Sequence, residues 1–228
     1  MKNIERTRNM KKAIVALACV TAIGVAGVSA YFTDTHTIVN SFTIGQIKQQ
    51  LDEPNFNPDD AKDIVPNKVI TKDPTVTNTG ANDQYVFMSV EVPYDTDIPQ
   101  LNDNGYIEKA AGSGPVELFT YATNDGWVLF NTVDDADTET ITRYYYWGAD
   151  GQLATLSPQE ATNPLFDSVK FVNTAEGYWQ YDDMGLINEE SIVVKSYGIQ
   201  DSYLDGTNGS PEGVFGLIQR NNTENLGN

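Results

Sequence analysis

The sequence predicts an all-β protein: a jelly-roll-like antiparallel β-sandwich with a few short helices, preceded by an N-terminal signal helix. The clearest strand is Tyr85–Val92, where side chains alternate strictly between two faces, as in a strand with one buried face. Similar patterns at Gly126–Phe130, Ile141–Trp147 and Ser191–Ile199 are separated by Asn, Asp, Gly and Pro, as in antiparallel sandwiches. Residues 13–30 carry no charge and follow a basic segment, which predicts the signal helix.

Prolines modify two of the predicted strands. Val69–Asn78 is extended and rich in threonine but contains Pro74, so we expect an edge strand or a bulge there. Pro93 is expected to end the Tyr85–Val92 strand, because proline has no N–H to donate to a sheet. Val169–Val172 is a short additional candidate strand.

The sequence also predicts one hairpin loop and two short helices. The acidic residues at 134, 135 and 137 lie between two predicted strands and indicate a hairpin loop. Ser157–Glu160 has the sequence of a capping box with proline at the first helical position, which predicts a short helix. A second short helix is predicted to open at Ser210–Glu212 and to run to Ile218.

The first thirty residues have the layout of a secretory signal peptide. A basic start precedes an apolar stretch that ends in Val28-Ser29-Ala30, and small residues at such positions mark a cleavage site. We therefore expect cleavage between Ala30 and Tyr31, with Val28, Ala30 and Tyr31 forming the signal cleavage site. The protein is then secreted to the extracellular matrix or cell surface. The alternative is an uncleaved membrane anchor, since the apolar stretch approaches the length of a membrane span.

The remaining body is strongly acidic and has little catalytic chemistry. Residues 31–228 contain 9 basic and 31 acidic residues, a net charge of −22, and no cysteine. Such a surface excludes nucleic-acid binding through a basic patch. Because His36 is the only histidine, a two-histidine zinc motif is excluded, and we expect no catalytic residues, no metal ligands, no cofactor and no enzyme activity. Calcium at acidic loops 134–139 and 201–212 is the alternative, although neither has EF-hand spacing.

Several segments, in order, resemble the TasA/camelysin family of exported Gram-positive proteins. The segments that carry the resemblance are Ala30–Asp34, Asn40–Gly45, Leu51–Pro54, Lys72–Gly80 with Asn82–Phe87, Phe166–Phe171 and Tyr197–Gln200. The resemblance implies a jelly-roll-like sandwich, cleavage by a SipW-type signal peptidase and a role as a fibre subunit of the biofilm matrix. It also implies that the mature N-terminal strand completes the sandwich of the next subunit.

The residues after the cleavage site suit such a donor strand. Phe32, Ile38, Phe42 and Ile44 share one face, whereas β-branched residues dominate the other. A strand of this kind adds main-chain hydrogen bonds to an open sheet edge, while pockets accept its side chains. The predicted assembly strand consists of Phe32, Ile38, Val39, Phe42 and Ile44. The alternative is an ordinary first strand that folds onto its own sheet.

The predicted organisation is a signal peptide at 1–30, an N-terminal donor segment at 31–50, a β-sandwich at 51–219 and a flexible tail at 220–228. The expected partners are other copies of the chain joined head to tail, the signal peptidase and a minor fibre subunit or anchor. Two other functions stay open: a camelysin-like surface metalloprotease and a non-polymerising adhesin. The aromatic run Tyr144–Trp147 motivates the adhesin, because aromatic rings can stack on sugars.

Overall fold

The computed structural model of the chain describes residues 39–40, 47–62, 64–174, 191–202, 204 and 206–225. The predicted signal helix at 1–30 lies outside these residues. The strands are β1 (Val39–Asn40), β2 (Gln49–Asp52), β3 (Val69–Thr71), β4 (Thr75–Asn78), β5 (Gln84–Asp95), β6 (Gln100–Leu101), β7 (Ile107–Lys109), β8 (Val116–Glu117), β9 (Phe119–Thr120), β10 (Trp127–Asp135), β11 (Thr140–Ala149), β12 (Gln152–Leu153), β13 (Ser168–Phe171) and β14 (Val193–Gln200). A 3-10 helix spans Pro58–Ala61, and helix α1 spans Pro211–Asn225.

The largest sheet has seven strands, of which five form the path β1-β14-β5-β11-β10. The short strands β8 and β12 pair with β5 and β11. Every strand pairing among the described residues is antiparallel except β1 with β14, which is parallel. The two outermost strands of this path are therefore β1 and β10.

The second layer consists of a three-stranded sheet, β3-β13-β9, and the β2-β4 pair. One hydrophobic cluster joins the two layers, with Met88 and Val90 from β5 packed among Ile70, Phe119 and Val169 from the smaller sheet. The predicted all-β sandwich is therefore confirmed. The segment Val69–Asn78, predicted as an edge strand or a bulge, forms two separate strands, β3 and β4, on either side of Pro74. Each of them lies at the edge of its sheet.

Both faces of β5 are buried, although the alternation predicts only one buried face. Val86, Met88, Val90 and Val92 face the main core, as predicted. Phe87 instead packs in a second cluster beneath α1, with Val214, Phe215 and Ile218 of that helix. The helix begins at Pro211 and continues past Ile218 to Asn225. None of the described helices has the length and apolar character needed to cross a membrane.

The expectation that Pro93 ends a strand is wrong. β5 continues to Asp95, and Pro93 pairs with Thr140. The N–H of Tyr94 donates towards β11, so the position of the missing N–H of Pro93 faces the opposite side of β5. On that side β14 has already ended, at the level of Glu91, and Pro93 contributes only its carbonyl, which accepts a hydrogen bond from Leu118 N at 2.9 Å. The Leu118 carbonyl accepts from Val172 N at 2.8 Å and does not need a donor at Pro93.

The helix predicted at Ser157–Glu160 is also absent, and a turn takes its place. The capping-box hydrogen bond from Ser157 N to the Glu160 carboxylate does form, at 3.0 Å. However, Gln159 has a left-handed φ of 66°, and its N–H bonds to the Asn78 carbonyl at 2.8 Å. The Asn78 N–H in turn bonds to the Glu160 carbonyl at 2.9 Å, so this backbone pairs with β4 and cannot continue as a helix.

Candidate functional site

The candidate site is the sheet edge where the predicted assembly strand meets the body. Of that strand, Val39 lies within the described residues, in β1. The remaining predicted positions, and the cleavage site, lie outside the described part of the chain. These positions are Val28, Ala30, Tyr31, Phe32, Ile38, Phe42 and Ile44.

Strand β1 pairs with the C-terminal half of β14 and is the outermost strand on that side of the large sheet. Val39 stands opposite Tyr197, and Asn40 stands opposite Gly198. Among the described residues, β1 is the only strand that pairs with this side of β14. The backbone N–H and C=O groups at the edge of a sheet can pair with an added strand.

Directly next to this edge lies a buried cluster of amide side chains. Gln49 of β2 and Gln84 of β5 are 2% and 0% exposed. Gln49 donates from Nε2 to the Ser196 hydroxyl at 3.0 Å, which ties the second layer to β14. Both amide oxygens approach Gly198, because a Cβ at that position would lie 2.7 Å from Gln49 Oε1 and 3.0 Å from Gln84 Oε1. The absence of a side chain at Gly198 therefore makes room for both glutamines.

Within the described ranges, Gln49 Oε1 and both polar side-chain atoms of Gln84 are buried without a hydrogen bond. Buried polar groups normally have a hydrogen-bond partner, so this cluster stands out from the apolar core around it. Sequence reasoning missed both glutamines. The alternation of side chains along a strand could have predicted that both point inward. Gln84 lies on the same face of β5 as Val86, and Gln49 lies on the same face of β2 as Leu51.

Two segments that carry the family resemblance meet in space. Lys72 and Glu53 form a buried ion pair at 2.7 Å, with side chains 5% and 3% exposed. Lys72 also lies 4.8 Å from the centre of the Phe56 ring. The neighbouring Asp73 accepts hydrogen bonds from Asn55 N and Nδ2, at 3.0 and 2.7 Å. These charged residues fasten the segment after β2 to the start of β4.

A second charged group lies in the region between β8 and β11. Arg143 donates to both Glu117 oxygens, at 2.7 and 2.6 Å, and these bonds raise the pKa of the guanidinium. Nearby, the Tyr121 and Tyr145 hydroxyls are 2.9 Å apart. Burial is the main cause that raises the pKa of Tyr121. The bidentate geometry fixes Arg143, so this group is arranged for packing and orientation.

No metal site forms among the described residues. In those ranges no group of three or more His, Cys, Asp or Glu side chains could hold a metal ion, and His36 lies outside them. The described residues therefore do not fit the ligand set of a zinc peptidase. The second acidic loop borders an open cavity of about 570 Å³, lined in part by Asp201 and Asn208. Calcium at either acidic loop stays a prediction.

The sequence matches one protein-family model, described as camelysin metallo-endopeptidase, over residues 6–186. This description contradicts the expectation that the protein is not an enzyme, because it names the family for peptidase activity. Comparison with curated proteins and with solved structures finds no match. The match confirms the resemblance based on the segments between Ala30 and Phe171. Because it covers most of the 228 residues, the chain belongs to the camelysin metallo-endopeptidase family.

Proposed function

We propose that the protein is a secreted structural subunit of extracellular fibres, in a biofilm matrix or at the cell surface. After the signal peptide is removed, residues 31–44 of the predicted donor segment 31–50 join one copy to the next, whereas Gln49 and Gln50 belong to β2 of the body. The observation that carries the proposal is the position of β1, which is the outermost strand of the large sheet and pairs with β14 over Val39–Asn40. A strand at an edge can be exchanged between copies without disturbing the rest of the sheet.

Membership of the camelysin family supports a secreted or cell-surface protein. On this proposal a SipW-type signal peptidase releases the donor strand, so that processing and the start of assembly are one event. The body's net charge of −22 opposes contact between copies. A minor fibre subunit or anchor would hold the fibre at the cell, and calcium would only bridge acidic surfaces.

The test compares two purified proteins, residues 31–228 and residues 45–228. The longer protein should form filaments visible by electron microscopy, and the shorter one should not. Filaments from both, or from neither across a range of pH and calcium, would refute strand donation. Because the shorter protein also lacks β1, a synthetic peptide of residues 31–44 gives an independent measurement. Added in excess to the longer protein, it should occupy the acceptor edges and shorten the filaments.

Peptidase activity is a second candidate function, favoured by the description of the family. It is tested by incubating purified residues 31–228 with casein in the presence of added zinc, with and without a chelator. Cleavage that the chelator abolishes, and that His36→Ala reduces, would establish it. The two functions need not exclude each other, since the filament assay and the casein assay report different properties. A strictly monomeric protein without cleavage would instead favour the adhesin.

A further inference from the structure

Two buried glutamine side chains point their amide oxygens at the same place, next to Gly198. A Cβ built on Gly198 would lie 2.7 Å from Gln49 Oε1 and 3.0 Å from Gln84 Oε1. The two oxygens are therefore no farther apart than these two distances together. Gln49 belongs to β2 and Gln84 to β5, so one oxygen comes from each layer of the sandwich. Both residues are buried, with 2% and 0% of their surface exposed.

Neither oxygen accepts a hydrogen bond from any residue in the described part of the chain. An amide oxygen carries two lone pairs and no proton. Two such oxygens that face one point repel each other unless a hydrogen-bond donor lies between them. Because nearly all buried polar atoms in folded proteins have a partner, this pair of oxygens requires a donor from outside the chain.

The neighbouring hydrogen bond restricts how the two amides can rearrange. Gln49 Nε2 donates to the Ser196 hydroxyl at 3.0 Å, and this bond sets the direction in which Gln49 Oε1 points. Inversion of the Gln84 amide would exchange its oxygen and nitrogen and would bring Nε2 towards Gln49 Oε1. Such a direct contact between the amides is the alternative that the experiment has to separate.

The chemistry of the cluster favours water over an ion. Besides the two acceptor oxygens, Gln84 Nε2 is a buried donor without a partner among the described residues. A cation would satisfy only the oxygens and an anion only the N–H group, whereas water both donates and accepts. The side chains around the point carry no charge, and a buried ion without a counter-charge is unfavourable. One water can bridge two acceptors about 4–5 Å apart.

We propose that an ordered water molecule is bound beside Gly198, where it donates one hydrogen bond to Gln49 Oε1 and one to Gln84 Oε1. The water links β2 of the second layer to β5 of the large sheet. It lies next to the direct link between Gln49 and Ser196 and reinforces it. Gly198 is part of the site, because a side chain there would fill the space in which the oxygens and the water meet. The site belongs to the folded chain itself and does not depend on assembly into fibres.

A high-resolution crystal structure of the protein tests the site directly. We expect a peak of electron density at hydrogen-bond distance, about 2.7–3.0 Å, from both amide oxygens. Direct contact of Gln84 Nε2 with Gln49 Oε1, without a peak between the two side chains, would overturn the proposal.

Magnetic relaxation dispersion of the water signal gives an independent test in solution, because it counts waters that stay inside the protein. Globular proteins hold about one buried water per 27 residues, so the comparison between variants is more informative than the total. Gln84→Met keeps a long unbranched side chain and removes both amide atoms. We expect it to lose about one long-lived water relative to the unsubstituted protein.

Gln50→Met is the matched control, since Gln50 is the next residue of β2 and is exposed. It should retain all long-lived waters. Gln49→Met removes the other acceptor and should show the same loss as Gln84→Met, so it serves as the second variant if Gln84→Met does not fold. An unchanged count in a folded Gln84→Met or Gln49→Met protein, or an equal loss in Gln50→Met, would overturn the proposal.

Discussion

The Lys72 Nζ atom lies 2.7 Å from each carboxylate oxygen of Glu53, and both side chains are almost fully buried. The pair joins the segment after β2 to the strand region of β3 and β4, two parts of the chain that both carry the family resemblance. An isolated charge left at this depth would be strongly destabilising, because the interior solvates it poorly.

Replacement of Lys72 by methionine is therefore expected to destabilise the fold. Lys72→Met leaves Glu53 charged and buried, with an expected loss of about 3–5 kcal/mol in the free energy of unfolding by urea. The double variant Lys72→Met/Glu53→Met should recover part of this loss, since both buried charges are removed together. The exposed pair of Lys62 with Asp59, at 2.6 Å, is the matched control. Lys62→Met should change stability by at most about 1 kcal/mol, and equal losses from both lysine variants would contradict the argument.

Gly198 is expected to tolerate no side chain. In Gly198→Ala the new Cβ meets Gln49 Oε1 and Gln84 Oε1 at 2.7 and 3.0 Å, within a buried cluster that has little room to shift. We expect a loss of about 1–3 kcal/mol, measured by thermal and urea unfolding. Gly216 in α1 is the control, because a methyl group added there would meet no atom within 4 Å. Gly216→Ala should stabilise the helix by about 0.5–1 kcal/mol, and a stable Gly198→Ala protein would count against this close packing.

Phe215 holds α1 on the sheet. Its ring centre lies 5.2–5.4 Å from the ring centres of Phe87, Phe130, Tyr144 and Tyr197. Phe215→Ala should cost about 3–5 kcal/mol and reduce the near-UV circular dichroism of the tyrosines, because the helix loses its main anchor. The exposed Arg220, on the same helix, provides the control. If Phe215→Ala and Arg220→Ala unfold at similar urea concentrations, the anchoring role is wrong.

Stability is expected to fall at alkaline pH. Burial is the main cause that raises the pKa of Tyr121, Tyr144 and Tyr197 above the ordinary value of 10.0. Their neutral forms are favoured by folding, so this contribution is present below pH 10.0 and is lost as pH rises towards the folded-state pKa values. Urea midpoints measured between pH 8 and 11.5 should decrease above pH 10, and Tyr197→Phe should make that decrease shallower. An unchanged pH slope in Tyr197→Phe would argue against a tyrosine origin.

The sequence predicted the four longest strands, β5, β10, β11 and β14, from the alternation of their side chains, whereas most of the two-residue and three-residue strands were not predicted. The alternation in Tyr85–Val92 located β5 and its core-facing side chains, and Pro74 correctly indicated a disturbed segment, which divides into β3 and β4. Pro93 and Ser157 misled for a common reason. In each case the backbone partners lie far along the chain, and local sequence patterns do not specify those partners. The packing of α1 on Phe87 likewise joins residues that lie far apart in the sequence.

The candidate site was only partly predictable. The segment after the cleavage site has a recognisable apolar face in the sequence. However, the pairing of β1 with β14 covers only Val39–Asn40, which is too short to produce a recognisable alternation of apolar and polar residues. Gln49 and Gln84 are buried at the first positions of β2 and β5, and the alternation of each strand predicts that these side chains point inward. That their oxygens converge on Gly198 follows from the packing of two layers and could not be read from either strand.

Helix α1 limits how copies of this protein can associate. The inner face of the large sheet is covered by the second layer, and Phe215 and its neighbours cover part of the outer face. Amyloid fibrils gain much of their rigidity from dry lamination of bare sheets on one another. Here the covered faces prevent such lamination and leave growth along the hydrogen-bonding direction. A fibre built from this fold would therefore be a single file of globular subunits, with the flexibility and dye-binding properties of a polymer of folded domains.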